Sequence, residues 1–198
     1  MARRNDHSRI EIKEMTIQAA RALIMEVGLT GCSARKIAKS IDYTVGTLYN
    51  VFDNYDDILL HVNAQTLEDL YQFMKQHIDP SLTGGDALKR LAALYIIFVE
   101  QQPKLWDTLF DHRLPAGEAL PEWYEEKTDQ LFTVIERVFE DSTSLDSEGA
   151  QRAARVLWAG MHGICSLSML HKLEVVGAEP AHILVENFID NYMAGVAA

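Results

Sequence analysis

The sequence predicts an all-helical protein. Apolar residues recur three and four positions apart, as on one face of an α-helix; in the first such segment they are Ile12, Met15, Ala19, Leu23 and Val27. Helix-capping residues precede several of these segments, and no segment shows the period-two alternation and hairpin turns of β-strands. With 198 residues and 48% apolar content, the chain is long enough to bury one or two cores.

Four helices are predicted in the first 78 residues, each introduced by a residue that can cap a helix N-terminus. They run from Ser8 to about Val27, from Ser33 to Ile41, from Thr44 to about Phe52 and from Asn54 to about Ile78. Ser8 and Glu11 have the spacing of a capping box, and Gly28 ends the first helix. Asp42 and Tyr43 form the turn between the second and third helices.

A Pro- and Gly-containing break at 79–85 precedes a second group of helical segments. We predict helices over 86–102, from Pro103 onward, and over 121–141, 147–176 and 180–194. The chain is therefore expected to have two domains, 1–53 and 54–198, with 54–78 as a connecting helix.

Charge is distributed unevenly along the chain. The formal net charge is −11, but residues 1–50 carry eight Lys and Arg against five Asp and Glu, which leaves −14 for the remainder. A basic DNA-facing module joined to an acidic domain would give this asymmetry, and so would chance.

Several classes of protein are disfavoured. The longest apolar runs are far shorter than the roughly 20 residues of a membrane span, and the polar N-terminus lacks a secretory signal. Cys32 and Cys165 are far apart and fit no metal-ligand spacing, which suggests unpaired thiols in a cytoplasmic protein. One Glu-x-x-His pair, Glu179 with His182, is too little for a di-metal site, and no nucleotide-binding or hydrolase motif occurs. We expect no enzymatic activity and no cofactor.

The third predicted helix separates two kinds of side chain. With Leu48 facing inward, Val51 and Phe52 lie beside it, whereas the small and hydrogen-bonding residues Gly46, Thr47, Tyr49 and Asn50 face outward. Such a helix suits insertion into a DNA major groove, so that 33–50 would form a helix-turn-helix. An ordinary amphipathic helix of a bundle would look the same, and these residues alone leave both interpretations open.

A longer pattern favours the DNA-binding interpretation. The runs Ala34-Arg35-Lys36-Ile37-Ala38-Lys39-Ser40, Gly46-Thr47-Leu48-Tyr49-Asn50-Val51-Phe52 and Asp56-Asp57-Ile58-Leu59-Leu60 resemble the TetR family of bacterial repressors over 8–62. In that family the G-T-L-Y-x-x-F segment is the recognition helix. The resemblance implies a three-helix DNA-binding domain, a C-terminal helical bundle for ligand binding and dimerisation, and double-stranded operator DNA as a partner.

The predicted DNA contacts combine helix caps, cations and the outer face of the recognition helix. They are Ser33, Arg35, Lys36, Thr44, Val45, Gly46, Thr47, Tyr49, Asn50 and Tyr55, together with Arg3 and Arg4 in the N-terminal arm. Asp42 stands where the family usually has glycine, and Asp tolerates left-handed geometry, so the turn is expected to form. Tyr55 stands among acids where the family commonly has lysine, and we expect Arg3 and Arg4 to compensate for the missing cation.

The C-terminal part resembles one TetR subfamily through Trp158-Ala159-Gly160-Met161-His162-Gly163, a W-x-x-x-H-G pattern. This implies a small-molecule effector and a homodimer formed by the last two helices. Effector-lining candidates are Trp106, Phe110, Trp123, Phe132, Trp158, Met161, His162 and Met169, each of which could instead fill the core. Dimer-interface candidates are Val156, Leu167, Leu170, Ile183, Phe188 and Ile189.

The sequence therefore predicts a transcriptional regulator, a repressor that a small molecule releases from its operator. The alternative is a DNA-bound regulator that acts through protein partners without a small-molecule effector. Neither interpretation involves a membrane.

Overall fold

The computed structural model describes residues 7–196, and within them it contains helices and no strand. The α-helices are α1 (Arg9–Val27), α2 (Ala34–Ser40), α3 (Val45–Leu48), α4 (Tyr55–His77), α5 (Gly84–Gln101), α6 (Pro103–Asp111), α7 (Glu122–Ser142), α8 (Ser147–Met169), α9 (Lys172–Val175) and α10 (Ala181–Val196). A 3-10 turn, Leu29–Gly31, follows α1. The all-α prediction is confirmed.

The predicted capping box sets the start of α1. The Ser8 hydroxyl accepts a hydrogen bond from the Glu11 backbone N–H (3.3 Å), and the Ser8 N–H donates to the Glu11 carboxylate (2.6 Å). The helix ends at Gly28, whose φ of 75° lies in the region that favours glycine. Local side-chain chemistry thus determines both ends of α1.

Two predicted helices are shorter than expected. The recognition segment ends as an α-helix at Leu48 rather than near Phe52. The segment predicted as one helix over 147–176 is interrupted after Met169, because His171 adopts a left-handed conformation with φ of 54°. Apolar residues continue at helical spacing through Leu173, which packs in the interior, so the periodicity did not reveal the break.

The described residues form two compact units. The first comprises the described residues up to Glu68 together with Gln102–Glu125. Its core includes Ile24 of α1, Ile37 of α2 and Leu48 of α3. Leu105 of α6 is fully buried in the same cluster, and α6 packs against α1 and the 3-10 turn. The first unit therefore extends beyond the predicted boundary after residue 53, because Ile58 of α4 and Leu105 of α6 are buried in its core.

The second unit comprises Asp69–Gln101 and Glu126–Ala198, of which residues 197 and 198 are not described. Helix α10 packs against α5 and α8. Leu88 and Phe98 of α5, Leu157 of α8 and Val185 of α10 are buried in this unit. The unit thus has an apolar core of its own.

Candidate functional site

The segment from α2 to α3 is held by two capped helices and a tight turn. The Ser33 hydroxyl accepts from the Lys36 backbone N–H at the start of α2 (3.4 Å). The Thr44 hydroxyl accepts from the Thr47 N–H at the start of α3 (3.2 Å). Between the helices Asp42 has φ of 58°, as expected for an Asp in the glycine position of the turn. The predicted caps and turn are confirmed.

The two sides of α3 differ in the predicted way. Leu48 is 0% exposed and packs in the first unit's core. Gly46, Tyr49 and Asn50 are exposed, with 44% of Tyr49 accessible, and Val45 and Thr47 are half-buried. A Cβ added at Gly46 would meet nothing closer than Thr44 Oγ1 at 3.7 Å, so internal packing does not require glycine there. The outer face therefore combines an exposed glycine with hydrogen-bonding side chains that are exposed or half-buried.

Cations flank this face on α2. Arg35 and Lys36 are both exposed, and the Lys36 ammonium donates to the backbone carbonyl of Gly31 (2.6 Å). The predicted contacts Arg3 and Arg4 lie outside the described residues.

The acidic residues after α3 have a structural role. The Asp57 N–H donates to Asn54 Oδ1 (2.8 Å), and the Asp53 N–H donates to the Asp57 carboxylate (3.0 Å). These bonds satisfy backbone donors at the start of α4, so the predicted cap Asn54 is confirmed. The carboxylates that would repel phosphate thus stabilise the first turn of α4.

Tyr55 differs from the other predicted DNA contacts. Its hydroxyl is buried beside the thiol of Cys32, and its ring packs against the core cluster. Burial raises the pKa of Tyr55. Because the hydroxyl lies inside the unit, we do not retain Tyr55 among the proposed phosphate contacts.

The candidate effector residues are distributed over both units. In the second unit Phe132 packs edge-to-face on Trp158 (5.6 Å between ring centroids), and Trp158 stacks on His162 (5.4 Å). His162 Nδ1 is 2.9 Å from the Tyr95 hydroxyl, and Nε2 is 3.2 Å from the Ser166 hydroxyl. Both ring nitrogens thus have partners within the unit, and burial lowers the pKa of His162. This network favours the core role that the sequence left open for these residues.

The other effector candidates also pack against protein groups. In the first unit Trp106 is buried against Phe110 (5.0 Å between ring centroids), and Trp123 stacks on His61 (4.4 Å). In the second unit Met161 is buried, and Met169 lines a small cavity of about 20 Å³.

Two larger cavities are lined by other residues. One cavity, of about 340 Å³, lies in the first unit, and its wall includes Asn63 of α4 and His112 at the end of α6. One of about 290 Å³ lies in the second unit and is bordered by Glu100 and His182. The sequence-based candidates did not include these residues, because side chains from separate segments line each cavity: in the first unit they come from α4, from the end of α6 and from the connection to α7.

The dimer candidates fall into two groups. Val156, Leu167, Leu170 and Ile183 are exposed although apolar, with 65% of Leu170 accessible. Ile189 is 0% exposed, so it belongs to the core of a single chain and is withdrawn as an interface residue. Phe188 packs against Gly160 of α8, where an added Cβ would lie 2.4 Å from the ring. Gly160 therefore allows a close contact within one chain, between α8 and α10.

The described residues contain no group of three or more His, Cys, Asp or Glu that could hold a metal ion. None of their helices is long and apolar enough to cross a membrane.

A capped helix-turn-helix with an exposed recognition face, joined to a helical C-terminal part, defines a DNA-binding transcriptional regulator. Residues 17–62 match the model of the bacterial regulatory proteins of the tetR family, and residues 88–192 match that of the tetracyclin repressor-like C-terminal domain. The chain belongs to the TetR family. Among curated proteins, none matches this sequence significantly.

Solved structures share the fold at low sequence identity. A protein of unknown function from Rhodococcus sp. RHA1 gives a TM-score of 0.75 over 100% of both chains, at 17% identity. The regulator FadR from Bacillus subtilis, solved with stearoyl-CoA, gives 0.67 over 92% of this chain and 98% of its own, at 16% identity. The multidrug binding protein EbrR, solved with imidazole, gives 0.62 over 91% and 93%, at 17% identity. At these identities the likeness shows the fold alone.

Proposed function

We propose that this chain is a homodimeric repressor that binds a specific operator and is released from it by a small molecule. The observation that supports this proposal is the exposed outer face of α3 and of the turn that follows it, where Gly46, Tyr49 and Asn50 are accessible while Leu48 is buried. This face inserts into the major groove, with Thr47, Tyr49 and Asn50 as hydrogen-bonding groups.

Phosphate contacts come from beside this face. The N-terminal turns of α2 and α3, capped by Ser33 and Thr44, direct backbone N–H groups toward the DNA backbone. Arg35 and Lys36 supply positive charge, and Arg3 and Arg4 replace the cation that the start of α4 lacks. An Arg3→Ala/Arg4→Ala double variant is expected to bind all DNA more weakly and to reduce the slope of log K against log salt by about 2. An unchanged slope would exclude the arm from the interface.

A second copy of the chain covers the exposed apolar residues of α8 and α10. Val156 and Leu167 of α8, Leu170 directly after α8, and Ile183 of α10 are exposed although apolar, and a second copy of the chain would remove them from water. Leu170→Glu is expected to convert a dimer to a monomer, measured by light scattering during size-exclusion chromatography. Met25→Glu, at an exposed apolar position of α1, is the matched control and is expected to leave the dimer intact. A wild-type monomer, or a Leu170→Glu dimer, would contradict this interface.

Selection from a randomised duplex library tests operator recognition. The wild-type chain is expected to enrich a palindromic sequence, as a symmetric dimer requires. Tyr49→Ala is expected to lose that enrichment, because it removes a large exposed side chain of α3. Met25→Ala, likewise exposed and apolar, serves as the folded control and is expected to retain it. If the folded wild-type protein enriches nothing at low salt, operator recognition is wrong, and action through protein partners becomes the better explanation.

Release by a small molecule follows if the ligand and the operator favour different states of the dimer. The two affinities are then reciprocally linked, so that a ligand that weakens operator binding is itself bound more weakly by the protein–DNA complex. The W-x-x-x-H-G pattern supports assignment to a ligand-responsive subfamily. A titration in which bound ligands never change operator affinity would contradict release.

A further inference from the structure

The cavity of about 340 Å³ in the first unit has a wall of mixed chemistry. Its apolar part consists of Leu60 on α4, Leu109 on α6, and Leu114 and Leu120 in the connection to α7. Leu120 is exposed at the surface, so the space can be reached from solvent. The volume lies at the lower end of the range of about 300–1,000 Å³ for small-molecule sites.

A buried amide in this wall lacks a partner. Asn63 is 2% exposed, and its Oδ1 accepts no hydrogen bond from the described residues. Buried amide oxygens are nearly always hydrogen-bonded, and leaving one unpaired is unfavourable. Tyr124, which is also buried in the wall, remains a neutral phenol, because burial raises its pKa to about 12. Because Asn63 lines the cavity, its amide oxygen is the acceptor with which a donor bound there would pair.

The charge around the cavity selects against anions. Glu118 lies in its wall and is exposed, and no Lys or Arg is among the described residues that line it. A carboxylate or phosphate ligand would therefore leave water without a Lys or Arg to compensate its charge, and His112, the histidine of the wall, is already paired with Asp56.

One wall residue also contacts the helix that follows the DNA-binding segment. His112 Nε2–H donates to Asp56 Oδ1 (3.0 Å) in the first turn of α4, and its side chain is 5% exposed. Asp56 is next to Asp57, whose bonds with Asn54 and Asp53 fix the start of α4. His112 thus connects the wall of the cavity to the first turn of α4.

We propose that this cavity binds a small, largely apolar molecule that carries a hydrogen-bond donor and no negative charge, and that His112 links its occupancy to DNA binding. The linkage rests on the proposed function, whereas the binding site does not. The ligand's donor pairs with the Asn63 amide, and its apolar body contacts the leucines. Glu118 adds attraction when the donor is an ammonium group.

Three probes of equal chain length test the site on the protein without DNA: 1-octanol, octylammonium and octanoate. Titration calorimetry is expected to show binding of the alcohol and the ammonium compound and at least tenfold weaker binding of the carboxylate. Asn63→Leu, which removes the unpaired acceptor and is expected to fold, should weaken octanol binding about fivefold to tenfold. Glu118→Gln should weaken octylammonium but not octanol, and Glu122→Gln, outside the cavity wall, is the matched control.

Other outcomes would overturn the site. The site is wrong if octanoate binds as tightly as octanol, or if Asn63→Leu binds octanol as tightly as the wild type does. It is also wrong if no probe binds to the folded chain. The linkage is tested separately by repeating the titrations with the selected operator. In His112→Gln, octanol should still bind but no longer change operator affinity. If octanol binds the wild type and operator affinity does not move, the linkage is wrong and the site stands.

Discussion

Replacing Gly46 by alanine should change stability and DNA binding in opposite directions. Gly46 is exposed in α3, and an added Cβ would meet only Thr44 Oγ1, at the ordinary contact distance of 3.7 Å. Alanine is favoured over glycine in helices by about 0.5–1 kcal/mol. We therefore expect the free energy of unfolding of Gly46→Ala to rise by about 0.5–1 kcal/mol, which for a chain of this size is a Tm increase of about 1–4 °C.

The same methyl group should weaken operator binding. It would stand on the face that we place against the major groove, where losing one good base contact costs about 1–3 kcal/mol. The dissociation constant should then rise about 5- to 150-fold. Fluorescence anisotropy with the selected operator measures the dissociation constant, and thermal unfolding measures the change in Tm.

Gly195→Ala is the matched control for Gly46→Ala. Gly195 is exposed in α10, and an added Cβ would meet nothing within 4 Å. It should shift Tm in the same direction and leave operator affinity unchanged. If Gly46→Ala binds operator as tightly as the wild type, the placement of α3 is wrong. If Gly46→Ala lowers the free energy of unfolding as well as operator affinity, glycine is needed there for folding. The prediction of opposite effects would then be wrong.

Three further predictions concern stability. Asp42 has φ of 58°, so Asp42→Gly should raise the free energy of unfolding by up to about 1 kcal/mol and Asp42→Ala should lower it, both measured by urea denaturation. Leu105 is fully buried, so Leu105→Ala should lower the free energy of unfolding by about 2–5 kcal/mol. Val175→Ala, at an exposed site, should lower it hardly at all. An equally small loss in Leu105→Ala would contradict the packing of α6 in the first unit. Burial lowers the pKa of His61 and His162, so the unfolded chain protonates first, and the free energy of unfolding should fall as pH drops below about 6.5. His162→Gln should flatten that slope, and an unchanged slope in this variant would contradict the link between burial of His162 and pH-dependent stability.

Features set by neighbouring residues could be predicted from the sequence. The capping box of Ser8 and Glu11, the caps at Ser33 and Thr44, and the left-handed turn at Asp42 each depend on groups within a few positions. The two faces of α3 followed from helical geometry and from the choice of Leu48 as the buried residue. The caps, the turn and the two faces were predictable from such local rules, whereas the DNA-binding interpretation depended on the resemblance to the TetR family.

Features that depend on distant packing could not be predicted. The burial of Leu105 against α1 and the interior position of the Tyr55 hydroxyl involve residues far apart in the chain. The break at His171 left no trace in the apolar spacing, since Leu173 continues the pattern. The cavity beside Asn63 draws on α4, α6 and α7, so no single segment of sequence carries its pattern.

The two cysteines provide a way to observe opening of each unit separately. Cys32 is buried in the first unit and Cys165 in the second, and both are free thiols. Burial raises the pKa of Cys32, and it raises that of Cys165 to about 11, so neither forms much reactive thiolate in the native chain. Alkylation of either residue under native conditions therefore requires local unfolding. Mass spectrometry of time-resolved labelling, with and without operator or ligand, would report which unit becomes more rigid, without introducing a single mutation.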